Sequence, residues 1–179
     1  MHVPVHLIRS ALATLLLAAC GSTPPPGMDA GPVDAPPVVP TIEIGTGDPE
    51  FVAIAEGQDL EVIRGPQNGF HFLASVRVSG VEAGNPDDRM DPRNPTTEFR
   101  VFRDMDRVDL MASSYTQGLD PIVGGGGHEM VGRFLILDIA SDDVLDGVMV
   151  RMEVTFTDVD GVVLEDQRNV RAIPHPANM

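Results

Sequence analysis

The sequence predicts an all-β protein, a single antiparallel β-sandwich set behind an export signal and a proline-rich tether. Two segments carry the prediction. In residues 148–157, VMVRMEVTFT, apolar Val148, Val150, Met152, Val154 and Phe156 alternate with Met149, Arg151, Glu153, Thr155 and Thr157. In residues 70–78, Phe70, Phe72, Ala74, Val76 and Val78 alternate with His71, Leu73, Ser75 and Arg77. A period of two places successive side chains on opposite faces, one packed and one wet, as in an antiparallel sheet. The third observation is punctuation: glycine and proline turns recur between short apolar runs, and the spacing is that of a sandwich.

Taken in order, strands are expected near 41–44, 50–54, 60–63, 70–78, 98–103, 107–112, 132–139, 148–157 and 162–171. Gly65-Pro66-Gln67-Asn68-Gly69 marks a turn, residues 86–95 a polar loop with Asp87, Asp88, Asp91 and two arginines, and Gly124–Gly127 a flexible four-glycine loop. Asp158-Val159-Asp160-Gly161 closes a hairpin. The one helical signal is a turn over 141–145 with Ser141 as its cap. The sandwich is thus expected over 41–173, with 174–179 as a C-terminal tail. His71, alternating with core positions, is expected on the wet face.

The 179 residues include 42% hydrophobic ones, enough for a core, but only 4% aromatics and no Trp. Val, Ile, Leu and Phe must supply the packing. All 12 basic residues are Arg, set against 27 acidic ones, for a net charge of −15. Such a surface disfavours nucleic acid, whose phosphates need basic groups, and electrostatic docking on anionic lipid.

The N-terminus reads as an export signal. Residues 1–9 are weakly basic, and 11–19, ALATLLLAA, form an apolar run too short to span a bilayer but suited to a signal peptide. The run ends in Leu17-Ala18-Ala19-Cys20, followed by Gly21 and Ser22, and Cys20 is the only cysteine. This resembles the lipobox of bacterial lipoproteins. The resemblance implies that residues 1–19 are removed and that Cys20 is the site of lipid (palmitate) attachment. The resemblance also implies an anchor in the cell envelope, with Gly21 favouring the outer membrane of a Gram-negative bacterium. Residues 21–40 hold seven prolines and three glycines, the composition of an extended, disordered linker of roughly 3.1 Å per residue.

Residues 147–161, GVMVRMEVTFTDVDG, resemble the last hairpin of bacterial immunoglobulin-like and PKD-type domains, although the Trp core and disulfide pair seen in many of them are absent. The resemblance implies an immunoglobulin-like sandwich with a binding or scaffolding role. Asp158 and Asp160 are candidate calcium ligands, since carboxylates at alternate positions can converge on a hard cation. The third EF-hand position is Val162, however, and a hairpin turn explains the same residues. The 87–91 acidic loop is a second calcium candidate. His128-Glu129, after the glycines, is read as a hairpin tip, and Ser113-Ser114-Tyr115 lacks a base partner. No nucleophile-elbow, metalloprotease, Walker or dinucleotide-binding spacing occurs. The expected function is a non-enzymatic envelope lipoprotein that binds a protein or glycan partner without a cofactor. The alternatives are a calcium-dependent adhesion or assembly module and a small hydrolase.

Overall fold

The computed structural model describes residues 38–103 and 108–178; the expected signal peptide, Cys20 and most of the expected tether lie outside the described residues. Ten strands follow one another: β1 Thr41–Thr46, β2 Val52–Ala53, β3 Asp59–Arg64, β4 Phe70–Ser79, β5 Thr96–Arg103, β6 Val108–Thr116, β7 Asp120–Pro121, β8 His128–Leu137, β9 Met149–Thr157 and β10 Val163–Pro174. A 3-10 turn, Asp142–Leu145, precedes β9 and is capped as expected: the Ser141 side chain accepts from the Asp143 N–H. Among the described residues no helix is long and apolar enough to cross a membrane.

The strands form one curled, sandwich-like sheet. One layer is β7-β8-β4-β1-β2, and the other is β6-β5-β9-β10. Strand β3 belongs to both. Its first part, Asp59–Val62, runs parallel to Arg171–Pro174 of β10, and its last residues, Ile63 and Arg64, pair antiparallel with His71 and Phe70 of β4. The sandwich is antiparallel apart from this β3–β10 pairing, which alternation alone does not reveal. Opposite the switch, the β6 and β8 edges approach each other. Asp138 N–H donates to the Leu110 carbonyl (2.9 Å), and the Tyr115 hydroxyl to the Phe134 carbonyl (3.3 Å).

The core lies between the layers, where Phe72, Phe99, Phe156, Ile44, Val62, Val76, Val101, Leu135 and Met152 are fully buried. Strand β9 follows the alternation, with Val150, Met152, Val154 and Phe156 inside and Arg151, Glu153 and Thr155 half-exposed. Strand β4 departs from it. It is central, with β8 along one edge and β1 and β3 sharing the other, and its outer face is partly covered. Ser75, at a break in the β4–β8 register, is buried because its hydroxyl donates to the Gly47 carbonyl (3.3 Å) and accepts the Gly132 N–H (3.1 Å).

A polar clasp joins β1 to β10. Asp166 accepts the Ile44 N–H (2.9 Å) and pairs with Arg168, whose Nε–H donates to the Ile54 carbonyl (3.1 Å). The C-terminal tail is held as well. The Asn178 side chain accepts from the Arg64 N–H (2.8 Å) and donates to the Val62 carbonyl (2.7 Å) and to Asp142 (2.6 Å).

Candidate functional site

The structure gives most sequence candidates folding roles. Asp158 is buried, and its carboxylate accepts the N–H of Val162 (2.8 Å) and of Glu82 (3.3 Å). It closes its own hairpin and ties down the loop that leaves β4. Asp160, on the same turn, is exposed. In the 85–94 loop Asp88 and Asp91 are used locally. Asp88 accepts from Met90 N–H (2.9 Å), and Asp91 from Arg93 N–H (2.9 Å). The Arg93 side chain beside Asp91 holds that carboxyl below the usual range. Among the described residues no three His, Cys, Asp or Glu side chains converge as metal ligands.

His128 and Glu129 are not a hairpin tip. They are the first residues of β8, facing Val78 and Arg77 of β4, and Glu129 pairs with Arg77 (2.7 Å). The pairing with β4 extends β8 toward the glycine loop, a register the local sequence does not encode. Ser113, Ser114 and Tyr115 continue β6 beyond its expected end.

The feature that stands out is the outer face of β3, β4 and β8. In register, Ile63, His71 and Ile136 form one cross-strand row, and Leu73 and Phe134 form part of the next. Phe134 is 54% exposed and Ile136 66% exposed. His71 is only 8% exposed, against the expected wet face, because the edge of its ring packs on Phe134 at 4.8 Å and the sheet surrounds it. Burial pushes its pKa down, so the imidazole is neutral at pH 7. A shallow cavity of about 380 Å³, lined by Gly65, Pro66, Gln67, Gly69, His71, Phe134 and Ile136, opens here. A second, of about 410 Å³, lies where β1 and β3 part along β4; Ile63, Leu73 and Ile173 are among its lining residues and Asp59 and Glu61 contribute acidic groups.

The outer face of β5, β9 and β10 is different. Phe102 lies under two guanidiniums, Arg100 (4.7 Å) and Arg151 (5.1 Å). Arg100 pairs with Asp109 (2.6 Å), Arg151 with Glu153 (2.8 Å), and Arg171 with Asp59 (2.6 Å). That face pairs several of its charges and exposes Met149 (41%) and Val163 (55%) far apart, whereas the β4–β8 face sets Phe134 and Ile136 in adjacent rows. Contiguous exposed apolar surface of this kind marks interaction sites. A neutral histidine among aliphatic and aromatic groups offers one donor and one acceptor without the desolvation cost of a charge.

The sequence did hold a signal for this face. Phe134-Leu135-Ile136-Leu137 is a continuous apolar run inside a strand otherwise expected to alternate. Leu135 and Leu137 fill the core, so Phe134 and Ile136 must point outward. Comparison with protein-family models, with curated proteins and with solved structures finds no match for this chain.

Proposed function

We propose that this chain is a lipid-anchored protein of the bacterial cell envelope, held through Cys20, and that its β domain is a non-enzymatic binding module. The contact surface is the outer face around His71, Phe134 and Ile136. The observation that carries the reading is the exposure of Phe134 and Ile136 in adjacent rows of an ordered sheet, beside a buried neutral histidine. A surface dominated by aliphatic groups, with few polar ones beside Gln67 and His71, favours a protein partner over a glycan. The rim carries Glu61, and the whole chain is acidic, so the partner is expected to present apolar anchors with a neutral or basic surround.

Two experiments test the two halves. Cys20→Ser is expected to abolish palmitate labelling and membrane retention; unchanged labelling would defeat the anchor. For the surface, Phe134→Asp and Ile136→Asp are expected to remove whatever envelope protein co-purifies with the wild-type chain, while Val144→Asp, exposed outside this face, retains it. Equal recovery with all variants would defeat the assigned face.

A further inference from the structure

A second set of exposed apolar residues gathers at one end of the domain. Thr41 faces Ser79, and His128 faces Val78, so the start of β1, the end of β4 and the start of β8 share an end of their layer. Thr96 faces both Thr116 and Thr157, so the start of β5 and the ends of β6 and β9 share an end of the other layer. Leu119 N–H donates to the Ala83 carbonyl (2.9 Å) and Glu82 N–H to Asp158 (3.3 Å), which joins the two into one end. Val38 and Val39 (each 74% exposed), Met90 (87%), Val123 (100%) and Val159 (50%) all lie there.

Scattered singly, such residues need no explanation. Five at one end do, and it is the end at which the chain enters the domain from the direction of Cys20. Val123 stands at the apex of a turn closed by Ile122 N–H to the Gly127 carbonyl (3.0 Å). Gly124, Gly125 and Gly126 follow with φ of +94°, +88° and +100°, and a Cβ on any of them would meet nothing within 4 Å. The apex is therefore slender and unobstructed, with the fully exposed Val123 as its apolar tip, a shape able to enter the headgroup region of a bilayer.

We infer that this end of the domain docks on the phospholipid surface in which the Cys20 lipid is inserted. The inference rests on the lipid-anchor reading above. Seventeen residues separate Cys20 from Val38. A tether of that size holds the end at an effective concentration on the order of millimolar at the membrane, so shallow apolar contact suffices to orient the domain. Glu82, Asp87, Asp88, Asp91, Asp120 and Asp160 lie toward the same end, where Arg93 is taken up by Asp91 and Arg77 by Glu129, so the acidic groups there outnumber the basic ones. The surface that fits is zwitterionic lipid, because anionic headgroups repel these carboxylates.

The chain has no Trp, so a single introduced one reports its own surroundings. Full-length lipidated protein carrying Val123→Trp, and a control carrying Ile136→Trp on the β4–β8 face, are reconstituted into phosphatidylcholine vesicles with brominated acyl chains. Val123→Trp is expected to show blue-shifted, quenched emission, and Ile136→Trp to remain unshifted and unquenched. Mass spectrometry of the same samples reports the lipid on Cys20. Lipidated protein that floats with the vesicles but leaves Val123→Trp unquenched, or quenches both reporters equally, overturns the docking alone. Absence of lipid on Cys20 overturns the anchor and the docking together. Quenching that appears only when phosphatidylglycerol replaces phosphatidylcholine also overturns it, since the contact would then not be the apolar one inferred.

Discussion

Replacing Asp158 with Ala separates a structural carboxylate from a metal ligand. The side chain is 6% exposed and accepts two backbone N–H groups, at 2.8 Å from Val162 and 3.3 Å from Glu82. Hydrogen bonds to a charged acceptor contribute about 1.5–3 kcal/mol each. The Glu82 bond is long, Glu82 is exposed and Val162 only half-buried, so water replaces part of what is lost. The net loss for Asp158→Ala is therefore about 2–4 kcal/mol, near the single-bond value and below the sum of two. At this domain size the melting temperature falls by about 3–4 °C for each kcal/mol, so a drop of roughly 10 °C is expected. Asp158→Asn keeps an acceptor and is expected to lose about half as much. The assay is thermal and urea denaturation followed by circular dichroism, each run once with excess calcium and once with chelator. The loss is expected to be the same in both, because the backbone amides and not an ion are its source. A wild-type stability that rises with calcium while Asp158→Ala does not respond would refute the reasoning through mass action on a bound ion. So would an Asp158→Ala variant as stable as the wild type.

Three further outcomes follow from the geometry. Asp166→Ala breaks the clasp between β1 and β10 and leaves Arg168 without its carboxylate; a loss of about 2 kcal/mol is expected by urea denaturation, reduced from the buried-pair value because both side chains keep some solvent contact. Gly118→Ala would drive a Cβ into the backbone of Asn85, and a loss of roughly 3 kcal/mol or more, read as a lowered urea midpoint, is expected because backbone cannot move aside as a flexible side chain does. The pH dependence carries a histidine component. Because the folded-state pKa of His71 lies below its ordinary value, the unfolded chain takes up the proton first. The full stability is present above the ordinary pKa, about 6.5, and declines as pH falls from there toward the folded value. Urea midpoints between pH 7 and 5 are expected to decline less in His71→Leu than in the wild type; parallel curves would remove the assignment.

The sheet was legible because most strands keep one face dry. In β9 every second residue from Val150 to Phe156 is buried, and the alternation in the sequence is the alternation in the structure. Ser141 announced its 3-10 turn because a hydroxyl that satisfies a free N–H acts within a few residues. What stayed hidden depends on partners far along the chain. His71 looks like a solvent-facing residue until β3 and β8 flank it and Phe134 covers it. The local sequence favours a turn at Asp158 over calcium, and the bond to Val162 belongs to that turn, but the tie to Glu82, 76 positions away, has no local mark. The parallel pairing of β3 with β10 joins residues more than a hundred positions apart, and neither strand carries a mark of it. The apolar face was half visible: the run Phe134–Leu137 is too apolar for a one-sided strand, but only the structure shows which residues of β3 and β4 complete the surface.

That β3–β10 pairing also governs when the fold can form. Strand β10 is the last of the ten, yet it lies inside the sheet, between β9 and β3, and carries both members of the Asp166–Arg168 clasp. The layers therefore cannot close until residue 174 is free to pair, whatever the earlier strands have done. Closing loops of this length before any reward from contact makes folding slow relative to proteins with local contacts. While the C-terminal residues are still held in a ribosome, the chain remains an open sheet with an unpaired edge at β3. A chain that loses its last dozen residues never completes the sheet.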